Sequence, residues 1–274
     1  MGNSIKIQNP ESFHKIDQKR IKFFRKKKMN NYLALYTFNL ETFKKYYKPE
    51  DLNRRYEGTS LLDLAAHLNN EKAALFLLDQ PGIIIKRAIK HACSHNNLKL
   101  VEKMLQFGNC LVVMPEDLLE TDDIVIQKYL LIKCNFSNID IVAEKAIHED
   151  NKELTKSILK KYEPSQDWII RAVLKNSINV IQLLLEKLEP CKKALYTIKT
   201  IQMYNILEPW VREHIQEVAE NNENIEVINC ILLDYDVDIP KLLTKTKTFE
   251  KFKYITDNFM EDKDFQEIEI NLKN

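Results

Sequence analysis

The densest group of potentially reactive side chains lies in the segment His91-Ala92-Cys93-Ser94-His95. His91 and His95 are four residues apart, so on a helix both imidazoles could face one metal ion. A structural zinc site needs four ligands, and the surrounding sequence indicates no further partner. A nucleophile built on Cys93 would also need a third, orienting group in a cleft. We therefore predict no metal, no cofactor and no catalytic residue.

The rest of the sequence lacks the short motifs that assemble reactive groups. It contains no G-x-S-x-G, no H-E-x-x-H, no phosphate-binding loop and no kinase-like set of motifs. Only four of the 274 residues are glycine, whereas a Rossmann-type enzyme would show a glycine-rich loop between a strand and a helix. The interpretation is that the protein is not an enzyme. An enzyme with an unrecognised helical active site is the alternative.

The composition favours helices joined by short turns. Apolar residues make up 45% of the chain, enough for a core, and few glycines and prolines interrupt it. The five cysteines are scattered and form no C-x-x-C pair, which is typical of reduced thiols in the cytosol. No run approaches eighteen apolar residues, so no membrane span is predicted. We expect a cytoplasmic protein, with secretion into a host cytosol and nuclear location as alternatives.

A polar residue suited to a tight turn recurs along the chain, at spacings of 31, 27, 25, 29, 26, 23, 24 and 24 residues. These anchor residues are Asn39, Asn70, Asn97, Asp122, Asn151, Ser177, Thr200, Asn224 and Thr248. Such residues either tolerate a left-handed backbone or cap the following helix, as a turn between two helices requires. The repetition predicts stacked two-helix units, and the copies at Asp122, Thr200 and Thr248 are the least well marked.

Two further columns of residues accompany the anchors. Five positions before six of them stands an alanine: Ala34, Ala65, Ala92, Ala146, Ala172 and Ala219. Small side chains let helices approach closely, so this column should form the buried seam of each first helix. Apolar residues four, seven and eight positions after the anchor share one face of the second helix. No unit can bury this face alone, which predicts that the units stack.

The segment Gly58–Ala66, with the sequence GTSLLDLAA, resembles the opening G-x-T-P-L-H-L-A-A of the ankyrin repeat. Asn69-Asn70 stand where that family has Gly-His, and Ala74–Leu78 stand in place of its apolar second-helix motif. The resemblance implies an all-α solenoid of stacked helix-turn-helix units. The short spacings leave little room for the family's β-hairpin fingers, so we expect most of them to be reduced or absent, with one only near residues 48–60. A solenoid without fingers is the alternative fold.

The resemblance is strong over residues 30–108 and diffuse over 109–274. We therefore divide the chain into three parts of one continuous array. Residues 1–30 form a basic extension or cap helix, residues 31–108 form well-matched repeats, and residues 109–274 form degenerate repeats with an acidic C-terminal end. Eroded repeats in a chain rich in Lys, Asn and Ile look like those of intracellular bacteria and large viruses, which implies a host-targeted effector.

In ankyrin arrays the concave face is lined by finger tips and by the residues that follow the alanine seam. The resemblance therefore implies recognition of another protein on this face, with no small-molecule substrate. The residues carried over onto it are Tyr36, Tyr56, Glu57, Thr59, His67, Leu68, Ser94, His95, His148, Glu149, Leu174 and Lys175. This mixture of aromatic, imidazole and charged groups is plausible for a protein-binding surface.

The N-terminal thirty residues carry nine Lys or Arg side chains and only two acidic ones, although the whole chain has a net charge of +1. The basic patch comprises Lys19, Arg20, Lys22, Arg25, Lys26, Lys27 and Lys28. Residues 15–28 could contact an anionic membrane surface or nucleic acid, or act as a nuclear import signal. They could instead form a cap helix with its lysines in solvent. A lipid- or nucleic-acid-associated adaptor is thus the alternative function.

Overall fold

The computed structural model describes residues 7, 14–85, 87–107 and 113–259. Within these ranges the chain forms nineteen α-helices and one short 3-10 helix at Pro49–Asp51, and its only β-type pairing is an isolated bridge. The prediction of an all-α class is confirmed. None of the helices in this part of the chain combines the length and the apolar character needed to cross a bilayer.

The chain folds into two compact units, Met1–Ile139 and Asp140–Asn274. The helices of the first unit are α1 (Lys15–Lys26), α2 (Asn30–Leu35), α3 (Leu40–Tyr46), α4 (Leu61–His67), α5 (Glu71–Leu78), α6 (Ala88–Ser94), α7 (Leu98–Leu105), α8 (Pro115–Leu119) and α9 (Ile124–Lys133). Those of the second are α10 (Asp140–His148), α11 (Lys152–Leu159), α12 (Gln166–Lys175), α13 (Ile178–Leu185), α14 (Lys192–Tyr196), α15 (Ile201–Glu213), α16 (Ile215–Asn221), α17 (Ile225–Asp234), α18 (Ile239–Lys245) and α19 (Phe249–Phe259).

After α1 the helices come in pairs, and the second helix of each pair begins one or two residues after a predicted anchor. The weakly marked anchors Asp122, Thr200 and Thr248 also precede second helices, namely α9, α15 and α19. The turn residue is therefore a more reliable marker of a helix pair than the alanine, because the turn is specified locally.

Like helices of successive pairs pack on one another within each unit. In the first unit, α2, α4, α6 and α8 are in contact in sequence, and α3, α5, α7 and α9 form a second row. In the second unit, α10, α12, α14, α16 and α18 are likewise in contact in sequence. Each pair thereby buries its apolar faces against its neighbours, as the periodicity predicted.

The predicted seam is buried, whereas the predicted stripe is only partly buried. All six alanines of the seam are at most 1% exposed. Seven or eight positions after the anchor, residues such as Leu105, Leu159 and Leu185 are half-buried. Four positions after the anchor, the apolar residues are buried from Phe43 to Ile228, but Phe252 is 41% exposed. The prediction is therefore wrong for Phe252, and its neighbour Lys251 is fully buried instead.

The turns within the pairs repeat one backbone geometry. The residue before the anchor has a positive φ in five pairs: Phe38 (53°), Asn69 (52°), Asn96 (52°), Asp150 (48°) and Asn176 (57°). In four of these turns the anchor N–H donates to the carbonyl of the seam alanine at 2.8–2.9 Å. This bond is characteristic of the Schellman motif, which satisfies the last carbonyls of the first helix.

The anchor side chain then caps the second helix. Asn97 Oδ1 accepts from the N–H of Leu100 at 3.1 Å, and Asn151 Oδ1 accepts from that of Leu154 at 3.0 Å. The sequence offered a left-handed backbone or a helix cap as alternatives for one residue. The structure divides these two tasks between adjacent residues.

A two-residue turn, which we call the finger turn, lies between the first helix pair (α2 and α3) and the second (α4 and α5), in the segment expected to hold a finger. Tyr56 and Thr59 exchange two backbone hydrogen bonds of 3.0 Å, and the central residues Glu57 and Gly58 both have positive φ. Two successive positive φ values define a type I′ turn, which glycine adopts without steric cost. A hairpin-like connection is thus present near residues 48–60, as a single bridge rather than a pair of strands, and its role as a finger stays a prediction.

Side chains of the turns also join each pair to its neighbour, and we call this series of hydrogen bonds the turn ladder. In the first unit the bonds run from Asn70 to the Leu35 carbonyl (2.9 Å), from Asn97 to Asn69 (2.9 Å) and from Thr121 to Asn96 (2.6 Å). In the second they run from Ser177 to the Ile147 carbonyl (2.5 Å), Thr200 to Asn176 (2.7 Å), Asn224 to the Lys199 carbonyl (3.0 Å) and Thr248 to Glu223 (2.8 Å). The turns therefore stabilise the stacking as well as the individual pairs.

The turn ladder predicts that replacing two similar asparagines by alanine lowers the free energy of unfolding by different amounts. Asn70 is buried, caps α5 and donates to Leu35, so Asn70→Ala should lower the free energy of unfolding by about 3 kcal/mol. Asn39 is exposed and its side chain caps only α3, so Asn39→Ala should cost about 1 kcal/mol. Urea denaturation followed by circular dichroism measures both. Equal losses would show that the bond between pairs adds nothing.

Candidate partner-binding surface

The predicted contact residues of the first unit do not share one environment. Tyr36 is only 2% exposed, and its hydroxyl donates to Asp17 Oδ1 of α1 at 3.1 Å. The expectation that Tyr36 lies on an exposed groove is therefore wrong, because α1 packs against it. Burial, together with the nearby carboxylate of Asp17, raises its pKa, which keeps the phenol protonated as a donor.

Asp17 joins α1 to two other helices. It is 6% exposed, receives the Tyr36 bond, lies 3.4 Å from Arg20 Nη1 and faces His67 Nε2 of α4 at 3.3 Å. Ile21 and Phe24 are buried on the same side of α1. Ile16 of the same helix is 54% exposed, and the cap-helix interpretation stays a prediction. Nothing in the local sequence distinguished Asp17, because its partners lie 19 and 50 residues away.

The three histidines of this region contact one another rather than converging on a single point. The rings of His67 and His91 meet edge-to-face with centroids 5.1 Å apart, while His95 Nε2 donates to the His67 carbonyl at 2.7 Å. Burial, aided by the neighbouring His67, lowers the pKa of His91 to about 4. The described residues contain no group of three or more His, Cys, Asp or Glu side chains arranged to hold a metal ion.

Cys93 lies on the buried seam, as predicted. Its side chain is inaccessible, and burial raises the pKa of its thiol to about 12. The nucleophilic form of cysteine is the thiolate, so a protonated and buried thiol behaves as a small apolar side chain.

The remaining predicted contacts of the first unit are either exposed or held by neighbours. Glu57, Ser94 and His95 are exposed, whereas Thr59, His67 and Leu68 are half-buried. Tyr56 is also half-buried. Its ring packs edge-to-face on Tyr32 (5.2 Å) and lies beneath the Arg54 guanidinium (4.9 Å). These positions thus include both exposed and half-buried side chains.

In the second unit the four predicted contacts lie at the C-terminal ends of two helices that pack together, α10 and α12. We call them the helix-end patch: His148, Glu149, Leu174 and Lys175. All four are exposed, and Leu174 is 40% exposed. An apolar side chain is thus presented to solvent among an imidazole and charges of both signs.

The basic patch lies on α1 and the turn that follows it. Lys19, Lys22, Arg25, Lys26, Lys27 and Lys28 are exposed, whereas Arg20 is half-buried beside Asp17. Its uses as a membrane, nucleic-acid or nuclear import segment stay predictions.

No model of a known protein family, no curated protein and no solved structure matches this chain. The class that its described residues define is an all-α protein of paired helices with a recurring turn. The resemblance to ankyrin repeats therefore depends on the sequence motifs alone.

Proposed function

We propose that the chain is a degenerate ankyrin-like solenoid that recognises another protein through helix ends and a finger turn on its concave face. The observation that carries this proposal is the repeated turn, in which a left-handed residue is followed by a capping anchor. Within each unit, the contacts between successive first helices and the repeated turn bring the ends of these helices close together. Helix ends grouped in this way suit an extended protein partner better than a small substrate.

The proposed mechanism is recognition by a pre-ordered surface. The turn ladder fixes the backbone at the helix ends, so a partner would be bound with little further loss of conformational entropy. In the helix-end patch, Leu174 supplies an apolar centre, and His148, Glu149 and Lys175 supply a polar rim. Protein interfaces commonly combine these two zones. The proposed setting is a cytosol, either of the producing cell or of a host in which the protein acts as an effector.

Two variants test this function. Leu174→Ser/Lys175→Glu changes the helix-end patch, and Glu57→Lys/His95→Ala changes the exposed residues of the first unit. Affinity purification from the native cell with quantitative mass spectrometry should recover a stoichiometric partner with the wild type. At least one variant should reduce its recovery by about tenfold or more, since a few central residues carry most of the energy of an interface.

The matched control is Glu153→Lys/Lys156→Glu on α11, which exchanges the members of an exposed ion pair of 4.0 Å and leaves the net charge unchanged. It should retain the partner in full. Retention of the partner by both surface variants would contradict binding through helix ends and finger.

A further inference from the structure

A solvent-open cleft of about 410 Å³ lies in the first unit, between the turn after α1, the end of α3 and the 3-10 helix. Five cationic side chains line it: Lys27, Lys28, Lys45, Lys48 and Arg54. Only Glu50 and Asp51 carry negative charge there. These cations come from three separate stretches of sequence, and only Lys27 and Lys28 among them belong to the basic patch.

The carboxylate of Asp51 is already engaged with protein groups. It accepts from Asn31 Nδ2 at 2.9 Å and lies 3.6 Å from Arg54 Nη1. Arg54 also stacks over the Tyr56 ring, yet 60% of its side chain stays exposed. Its guanidinium is thus held in place on one side and open to the cleft solvent on the other.

The lysines of the cleft are exposed, and no carboxylate of the described residues forms an ion pair with Lys27, Lys28 or Lys48. The backbone that carries Lys28 is fixed, because its φ is 56° and the next N–H donates to the Phe24 carbonyl at 2.9 Å. Like charges that converge on one concave site repel one another unless an anion binds between them. The cleft therefore has an excess of positive charge that the described side chains do not neutralise.

The volume and the lining residues of the cleft indicate which kind of anion could bind there. Small-molecule sites usually occupy about 300–1,000 Å³. Nucleic-acid strands need open stacking faces or an extended basic track, and the Arg54 guanidinium already lies over the Tyr56 ring. A compact ligand with several phosphates could contact several of the clustered lysines at once, since lysine binds phosphate as a point charge.

We propose that this cleft binds a compact polyphosphorylated anion, such as a phosphorylated inositol ring, either free or as a lipid headgroup. The site borders the proposed protein-binding surface at Tyr56, but its cationic side chains are not among the predicted partner contacts, so it adds a second ligand class to the first unit. The ligand's phosphates would lie among Lys27, Lys28, Lys45 and Lys48, with Arg54 at the edge nearest the finger turn.

The test uses the full-length chain and inositol hexakisphosphate as the probe, in calorimetric titrations at about 150 mM salt. Lys45→Glu/Lys48→Glu should weaken binding by about tenfold or more, since both side chains lie in the cleft. Lys15→Glu/Lys19→Glu makes the same change of charge at two exposed positions of α1 outside the cleft, and should alter affinity by less than about twofold. Circular dichroism shows whether both variants are folded.

Equal weakening by the two variants would overturn the proposal, because it would indicate diffuse attraction rather than a site. Absence of binding below about 1 mM would overturn it as well. Vesicles containing a phosphatidylinositol phosphate, compared with phosphatidylserine vesicles of equal charge, distinguish the sources. Preference for the former supports a headgroup, and binding of the soluble probe alone supports a free ligand. Tighter binding of a single-stranded RNA that depends equally on both lysine pairs would replace the proposal with nucleic-acid recognition.

Discussion

Replacing Lys251 by methionine is expected to lower the free energy of unfolding by about 3 kcal/mol. Lys251 of α19 is fully buried, and its Nζ donates to the carbonyls of Ala219 (2.8 Å), Glu220 (3.1 Å) and Asn222 (2.6 Å). These carbonyls lie at the C-terminal end of α16, where no intrahelical donor remains. Methionine fills a similar space without a donor, so all three acceptors would lose this partner.

The charge state of Lys251 reflects two opposing effects. Burial lowers the pKa of its ammonium group. The three carbonyl acceptors and the negative end of the helix dipole favour the charged form, which alone has three N–H donors. The arrangement of acceptors therefore fits an ammonium that caps α16 from the following pair.

The matched control for this prediction is Lys253→Met. Lys253 lies two residues further along α19 and is exposed, so the same substitution should change stability by less than about 0.5 kcal/mol. Urea denaturation gives both values, and hydrogen exchange of residues 215–221 shows whether α16 loosens. A loss at Lys251 no larger than that at Lys253 would rule out the capping role.

The second large effect concerns acid stability and His91. Its pKa in the folded protein is about 4, against 6.5 for the unperturbed side chain. Between these values the unfolded chain binds a proton that the folded chain excludes. The contribution of neutral His91 to the free energy of unfolding is therefore complete above about pH 6.5. This contribution is lost as the pH falls toward 4. From pH 7 to pH 4, the wild type should lose about 2 to 3 kcal/mol more than His91→Phe.

Phenylalanine keeps an aromatic ring beside His67 and cannot titrate, so the comparison isolates protonation at position 91. His95→Phe is the control, because it removes an exposed histidine next to the same helix and leaves His91 in place. Between pH 7 and pH 4, the free energy of unfolding of His95→Phe should fall by about as much as that of the wild type. Denaturation curves at several pH values measure all three proteins, and parallel pH profiles for wild type and His91→Phe would disprove the assignment.

The errors of the sequence prediction have identifiable physical causes. The spacing rule placed Phe252 on the buried stripe of α19, but no described helix follows α19 to cover that face. Lys251 is buried instead because the carbonyls of α16 offer its charge three partners. Tyr36 was placed on an exposed groove, yet the packing of α1 encloses it. A periodicity assigns a residue to a face and does not specify what covers that face.

The sequence by itself determined the helix pairs, their boundaries near each anchor and the buried alanine seam. These features depend on interactions within a few residues, since a left-handed residue, a capping side chain and an apolar spacing act locally. Only the tertiary structure decided the partners of Asp17, the turn ladder, the burial of Lys251 and the gathering of five cations around one cleft. Those features join segments some 20 to 50 residues apart, and their geometry follows from how neighbouring pairs pack rather than from any local pattern.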